Sequence, residues 1–265
     1  MVERLVPDEL WELFQRVIPE APTRPQGGGR LGHGDRQVRA AIIFVATSGC
    51  TWAQLPPTFG PSGATARRRF AEWTQARVWA KLHRLVLDEL GSRGELDWSR
   101  CAIDSVNMRA LKGEDLTGPN PVDRGKKGSK IHLITDRSGL PLSVAISGAN
   151  THDSQALQPL VQGIPPIRSR RGPRRRRPAK LHGDKGYDYD HLRRWLRRRG
   201  IVHRLARRGV EPSQRLGRHR WQVERTMAWL AGCRRLHRRY ERKADHFLAF
   251  VGIACTLICY RRLTK

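Results

Sequence analysis

Two carboxylates in this sequence sit where chemistry is easiest to expose. Asp104 lies at the apolar end of the run WSRCAIDSV, and Asp184 closes KLHGD inside HGDKGYD, between Gly183 and Gly186. A carboxylate at a strand end beside glycine leaves room for a metal or another backbone to approach closely. Two of these on neighbouring strands, with a third from a packed helix, can hold two Mg²⁺ ions about 4 Å apart. One ion then activates a water or a 3′-hydroxyl and the other stabilises the leaving oxygen. The residues alone leave the third ligand open, because Asp136, Asp153, Asp188 and Asp190 are all available. Glu224 stands out among the alternatives. It falls in the helical run RHRWQVERTMAWLAGCRRL, on the border of a stripe formed by Val223, Met227 and Leu230. At that border a carboxylate can leave the core edge and point into a cleft. The competing reading is a surface pair with Arg220, worth roughly 0.2–0.5 kcal/mol.

The charge balance names the kind of partner. The 265 residues hold 51 Lys+Arg against 24 Asp+Glu, a net charge of +27. A charge that far from zero repels itself without a polyanion, and nucleic acid gains from each phosphate neutralised. Residues 1–95 carry a net +3 and the remainder +24, so the carboxylate-bearing part also carries the footprint. An anionic membrane would call for a basic amphipathic helix or a lipidation signal, and no clear case of either is found. The longest apolar stretch, Phe247 to Tyr260, spans 14 residues, short for a bilayer. The N-terminus lacks an apolar secretory core. A soluble cytoplasmic protein is expected. The five cysteines are odd in number and form no CxxC pair, which argues against a disulfide scaffold or zinc ribbon. Cys255 and Cys259, one helical turn apart, read as small buried hydrophobes rather than half a metal site.

The elements that must position these groups fall into two parts. Residues 1–95 read as helical: an amphipathic helix over 4–18, a Pro/Gly-rich linker, a helix after Asp35 ended by Gly49, a short helix at Trp52 to Leu55, a basic helix after Ser62, and a further helix over 78–90. The helix after Ser62 carries Arg67, Arg68 and Arg69 in one turn, with Phe70 and Trp73 at core spacing. This resembles a helix-turn-helix with its basic member in the major groove; a plain bundle with a solvated face is the alternative. GSRGELD at 91–97 marks the expected domain boundary. Residues 96–265 then read as strands at WSRCAIDSV, 130–136 and 141–147, the last two joined by a hairpin at Arg137-Ser138-Gly139. A helix over 153–162, strands at 180–184 and 201–205 around a helix over 190–199, and helices over 218–239 and 244–262 complete a mixed-sheet α/β domain. Between them, RSRRGPRRRR (168–177) has seven arginines in ten residues. It is expected to be a mobile loop whose Arg174, Arg175, Arg176 and Arg177 hold DNA backbone. GKKGSK at 125–130 is phosphate-friendly but lacks P-loop spacing. Trp221 and Trp229 suit either base stacking or core packing.

Several runs, in order, carry a family resemblance: AIDSVNMRALKG, TGPNPVDRGKKGSKIHLITDRSGLPL, GANTHDS, HGDKGYD and RWQVERTMAWL. Together they resemble the catalytic core of bacterial insertion-sequence transposases of the DDE class, insertion-sequence family five. SGCTWAQLPPTFGPSGATARRRFAEWTQARVW resembles the helical domain that precedes that core. The resemblance covers nearly the whole chain. It implies a ribonuclease-H-like fold, with Asp104, Asp184 and Glu224 as the triad, 80 and 40 residues apart. It implies two Mg²⁺ ions, with Mn²⁺ as a substitute, and double-stranded DNA as partner, both the inverted repeats and the target. It further implies a homo-oligomer that holds two ends together, and association with the nucleoid. Similar transposases place basic residues beside the glutamate for phosphate contact, which points to Arg220 and Arg225, and Lys185 offers the same beside Asp184. His152 is a weaker candidate near the metals. The rivals are a DNA-binding protein without catalysis, a nuclease without strand joining, and an RNA-binding protein, the last disfavoured by an aromatic content of 7%.

Overall fold

The computed structural model describes residues 1–20, 33–210 and 213–264, without the side chains of 213–220. Five helices open the chain: α1 (Val2–Leu5), α2 (Asp8–Gln15), α3 (Asp35–Ser48), α4 (Gly63–Gln75) and α5 (Val78–Arg93). Local chemistry fixes their ends. Gly49 takes φ 75°, the left-handed conformation that stops α3. The Ser62 hydroxyl accepts the Thr65 N–H and starts α4. Between α3 and α4 the chain makes two 3-10 turns, Trp52–Gln54 and Pro57–Phe59, where a single short helix is expected.

The second part is a sheet between helices. Its elements are β1 (Cys101–Ala110), β2 (Gly118–Pro119), β3 (Lys127–Thr135), β4 (Pro141–Gly148), α6 (Ser154–Gly163), β5 (Lys180–Gly183), α7 (Asp190–Arg198), β6 (Val202–Leu205), α8 (Ser213–Ala231), β7 (Arg238–Arg239) and α9 (Ala244–Leu263). The strand order is β4-β3-β1-β5-β6, with β2 beside β3 and β7 beside β1. β1, β3 and β4 pair antiparallel, whereas β5 joins β1 and β6 joins β5 in parallel. Three antiparallel strands followed by two parallel ones, covered by helices, make the ribonuclease-H-like mixed sheet. The β3–β4 hairpin is locked by Asp136, whose Oδ1 accepts the Ser138 and Leu140 N–H groups and whose Oδ2 accepts that of Asp97.

One apolar core runs through both parts, from Phe14, Trp73 and Trp79 to Ile131, Leu133 and Phe250. Helices α5 and α9 pack along each other. GSRG, read above as boundary punctuation, therefore lies largely inside α5. Gly91 has a packing role there, because a Cβ at that position would collide with the Arg168 carbonyl oxygen. Helix α9 extends past the 14-residue apolar stretch to 20 residues and is long and apolar enough to cross a membrane by length and composition. Some 67% of its apolar window is buried inside the protein, so it serves as the central core helix. Cys255 and Cys259 are buried on it, and burial pushes both thiols up.

Two expectations need correction. The helix expected over 218–239 ends at Ala231, because a 3-10 turn at Arg234–Leu236 leads into β7, which pairs with the far end of β1. The Arg-rich segment is tied down rather than mobile. Ile167 and Arg175 exchange backbone hydrogen bonds of 2.8 and 2.7 Å. Asp88 on α5 accepts from the Arg168 N–H at 2.7 Å and from Arg174 Nη1 at 2.8 Å. Arg175 lies over Trp98, while Arg176 and Arg177 donate to the carbonyls of Gln162 and Arg199.

Candidate active site

Strand register brings the two aspartates together. In the parallel pair, Cys101 stands opposite Leu181 and Ala102 opposite His182. Two residues further along each chain stand Asp104, within β1, and Asp184, just past the end of β5. Neighbouring strands lie about 4.8 Å apart, and equal steps keep both positions on one face. Asp184 follows the last residue of β5 and caps a 3-10 turn, its Oδ1 accepting the Gly186 N–H at 2.8 Å. Asp104 Oδ1 accepts the Ser105 N–H at 2.8 Å.

The faces of the sheet can be told apart by alternation. Ser105 points away from the Asp104 face, and its hydroxyl donates to Asp153 at the entrance of α6. Helices α6 and α7 cover that side. Helix α8 crosses β1, β3 and β5 and packs on α9, forming the other layer. It is pinned at the hairpin, where Thr226 Oγ1 donates to the Gly139 carbonyl and Arg225 Nη2 to that of Ser138. Gln222, Val223, Thr226 and Leu230 face inward, whereas Glu224 is exposed just beyond half-buried Met227. Glu224 thus stands on the rim of the helix that covers the aspartates. Among the described residues, no three His, Cys, Asp or Glu side chains lie close enough together to hold a metal ion. The donor set is nonetheless hard oxygen, which suits Mg²⁺ or Mn²⁺.

Of the other candidate acids, Asp136, Asp153 and Asp188 are occupied elsewhere. Asp136 is buried in the hairpin, and burial raises its carboxyl to about 6. Asp188 accepts Arg193 and the Arg208 N–H. Asp190 is exposed in the first turn of α7. Asp153 has a role that sequence reasoning did not find. Its Oδ1 receives Lys130 Nζ at 2.8 Å and the Ser105 hydroxyl at 2.9 Å. A Cβ on Gly186 would lie 2.9 Å from Asp184 Oδ1 and 3.8 Å from Asp153 Oδ2. The Asp153–Lys130 pair therefore holds the residue after Asp104 and lies close to the turn after Asp184. His132 adjoins this cluster with Nδ1 4.0 Å from Asp153 Oδ1, while its Nε2 bonds the Ser147 hydroxyl at 2.8 Å; burial lowers it to about 4, so it is neutral at pH 7. A lysine inside the apolar strand KIHLIT was the signal for this cluster, since a buried charge needs a partner.

The expected DNA contacts divide. Arg67 and Arg68 are exposed on α4, but Arg69 is half-buried between Asp35 and Glu72 and lies over Trp73. Arg68 also reaches Glu72, at 3.8 Å. Lys185 is half-buried beside Asp184. Arg225 lies between Trp221 and Trp229, 4.7 and 4.5 Å from their rings. Both tryptophans are exposed, which removes core packing as their role. Arg220 lies on α8, with its side chain outside the described set. His152 contacts Ser154 and Tyr189 at the start of α6, a helix-opening role.

Comparisons with known proteins agree with this architecture. The family model described as transposase DDE domain matches residues 98–259, and a transposase model of the IS4/5 family matches residues 6–83. A candidate transposase for insertion sequence element IS402 of Burkholderia cepacia is 48% identical over 153 residues, covering 58% of this chain and 72% of that protein. A second IS402 protein, an uncharacterized one of 16.2 kDa, is 37% identical over 123 residues, covering 46% and 84%. Among solved structures, the Mos1 mariner paired end complex with Mn is similar at 11% identity and a TM-score of 0.34, covering 95% of this chain and 86% of that one.

Proposed function

The chain belongs to the DDE transposase domain family, metal-dependent enzymes of DNA transposition, and we propose that it binds the inverted repeats of its element, cuts the ends and joins each freed 3′-hydroxyl to target DNA. The observation that supports this is the parallel pairing of β1 with β5, which carries Asp104 on one strand and leads into Asp184 at the end of the other, in a sheet packed against the helix that bears Glu224. Asp104, Asp184 and Glu224 would hold the divalent ions, with Mg²⁺ as the physiological choice and Mn²⁺ as its substitute. When bound, these ions supply an activated attacking oxygen and neutralise the leaving one. The chain's own part is to fix two carboxylates by strand pairing and bring the third from a helix rim. Lys185, Arg220 and Arg225 would receive the phosphates alongside, and Arg67 and Arg68 would read the repeat. The work takes place in the cytoplasm at the nucleoid, by a homo-oligomer that pairs two ends.

The test is incubation with the element's own ends and a target plasmid in Mg²⁺ or Mn²⁺. Asp104→Asn, Asp184→Asn and Glu224→Gln keep shape but remove the charge that holds a hard cation. Each alone should abolish cutting and joining while leaving DNA binding intact or tighter. Nicking at the wild-type rate by any of the three in Mg²⁺ overturns the assignment. A second reading, DNA binding without chemistry, has the rim position of Glu224 in its favour. It predicts that the wild-type protein binds the ends and cuts neither.

A further inference from the structure

We propose that α7 and the edge strand β6 form a second DNA surface, which holds the target duplex by its backbone while the N-terminal helices hold the element's end. The division of labour rests on the transposase reading above; the surface itself rests on the geometry of this edge.

Helix α7 has one apolar face, Leu192 and Leu196, turned into the core. Arg193 is drawn inward with it, held by Asp188 at 2.5 Å and by the Leu205 carbonyl at 2.9 Å. That anchor fixes the helix to β6 and leaves the remaining arginines outside. Arg194, Arg197 and Arg198 are exposed and share one face at i, i+3 and i+4 spacing. No ion pair holds any of the three among the described residues. Like charges at i,i+4 destabilise a helix by a few tenths of a kcal/mol. The sequence keeps that repulsion and places a single acid on this face, Asp190 in the first turn, which forms no ion pair with the three among the described residues; the remaining excess fits a partner that brings the negative charge.

The band does not stop at the helix. Arg177 reaches over from the Arg-rich segment to the Arg199 carbonyl at 3.0 Å, adding a guanidinium at the C-terminal end of α7. On the other side of the edge, Arg204 is exposed and pairs in register with His182, two residues before Asp184. Leu205 stands opposite Gly183, directly before Asp184. Positive charge therefore wraps the β6 edge and ends beside the carboxylates, where a strand to be attacked would have to arrive. His203 lies between these groups, and its proton affinity is lowered by burial first and then by Arg193, Arg197, Arg204 and Arg207. The nine residues of α7 extend about 13 Å, enough to meet several phosphates of a duplex that carries one charge per about 1.7 Å. Nothing in the band is shaped to read bases, so its contacts are of the positioning kind.

The test uses the full chain with Arg194, Arg197 and Arg198 changed together to Ala, beside an Arg→Lys triple. Binding to random duplex is measured against salt, and cutting of the element's own ends is measured separately from joining of pre-cut ends to a plasmid. We expect the salt slope for random duplex to flatten by about 2.7 units, from roughly 0.9 per lost contact. Joining should fall at least tenfold, own-end cutting should stay within about twofold, and the Lys triple should restore joining. An unchanged slope overturns the proposal. So does an equal loss of cutting and joining in a protein with unchanged melting temperature, which would assign the band to the element's own end. Basic residues also guard open strand edges against pairing; aggregation of the Ala triple with an unchanged slope would assign them that role instead. Failure of the wild-type protein to cut its ends would sink the transposase reading, while the salt slope would still decide whether this edge binds DNA.

Discussion

Helix α4 carries three arginines in one turn and α7 four within six residues, yet they present them in opposite ways. On α4, Glu72 answers Arg68 and Arg69 from the same helix, and Asp35 answers Arg69 from α3. At α7, Asp188 just before the helix is spent on Arg193 and on the Arg208 backbone, and the single acid of the outer face, Asp190, holds none of its arginines among the described residues. Arg69, held by two carboxylates, anchors α4 to α3 and so fixes the frame from which Arg67 and Arg68 reach outward, and reading a base edge requires a fixed frame. A band of several unheld arginines instead adapts to any phosphate that passes. Similar composition thus gives one helix suited to recognition and another suited to capture, and the difference lies in where the acids fall.

That comparison holds only while the helical layer stays docked on the sheet, and acid is the largest threat to the docking. His83 on α5 is buried against the Pro141 carbonyl at 3.0 Å, and His132 is buried in β3. Burial lowers both to about 4. Each is neutral when folded but takes up a proton when unfolded below about 6.5. The stability they protect is therefore complete above pH 6.5 and lost as pH falls toward 4, on the order of 3 kcal/mol for each. Asp136, raised to about 6, works in the opposite sense and offsets part of this. The melting temperature should drop steeply between pH 6.5 and 4, and His83→Gln should flatten that limb. A level profile across the window would show that the histidines are not held neutral.

Most elements were legible in the sequence because their signals are local. Gly49 and Ser62 mark helix ends by backbone conformation and hydroxyl capping. Apolar alternation marks β3 and β4, and Gly139, at φ 86°, turns the hairpin between them. The candidate triad was nameable only through the order of several motifs, since strand-end position alone left the third carboxylate open. What was not legible depends on distant pairing. Nothing near Asp153 shows that Lys130, 23 residues earlier, will point at it. Nothing near the Arg-rich segment shows that Asp88, some eighty positions back, will hold it. Arginine density suggested free charge, but the fold brought an acid and several backbone carbonyls to the same place.

A medium-sized effect should separate the arginines of α4 from one another. Arg67 is exposed and unanswered by Glu72, whereas Arg69 is fixed from two sides. Arg67→Ala should narrow the gap between the element's end and random DNA by roughly 1–3 kcal/mol if a bidentate guanine contact is lost. Arg69→Ala should instead lower the melting temperature, because Asp35 loses its partner across the α3–α4 contact. Competition binding on specific and random duplexes, read beside melting curves, distinguishes the two. Equal loss on both DNAs for every member of the trio would move recognition to another part of the chain.

The smallest effect is the sharpest check on paired against open charge. Arg174 looks, by sequence, like its neighbours Arg175, Arg176 and Arg177, and a free run of four would each release a counterion. In the structure Asp88 sits against Arg174 at 2.8 and 2.9 Å, and the Pro166 carbonyl accepts from the same nitrogen. Its charge is largely cancelled before DNA arrives. Arg174→Ala should therefore leave the salt slope of random-duplex binding within a few tenths of a unit of wild type, where an open contact would remove about 0.9. Its cost should appear in stability, because Asp88 is 6% exposed and would keep only the Arg168 N–H as a partner. Asp88→Asn gives the converse: it frees Arg174 and should steepen the slope by up to about one unit. If Arg174→Ala flattens the slope as much as Arg198→Ala on α7 does, pairing does not decide which arginines meet DNA, and the contrast between the two kinds of basic surface fails with it.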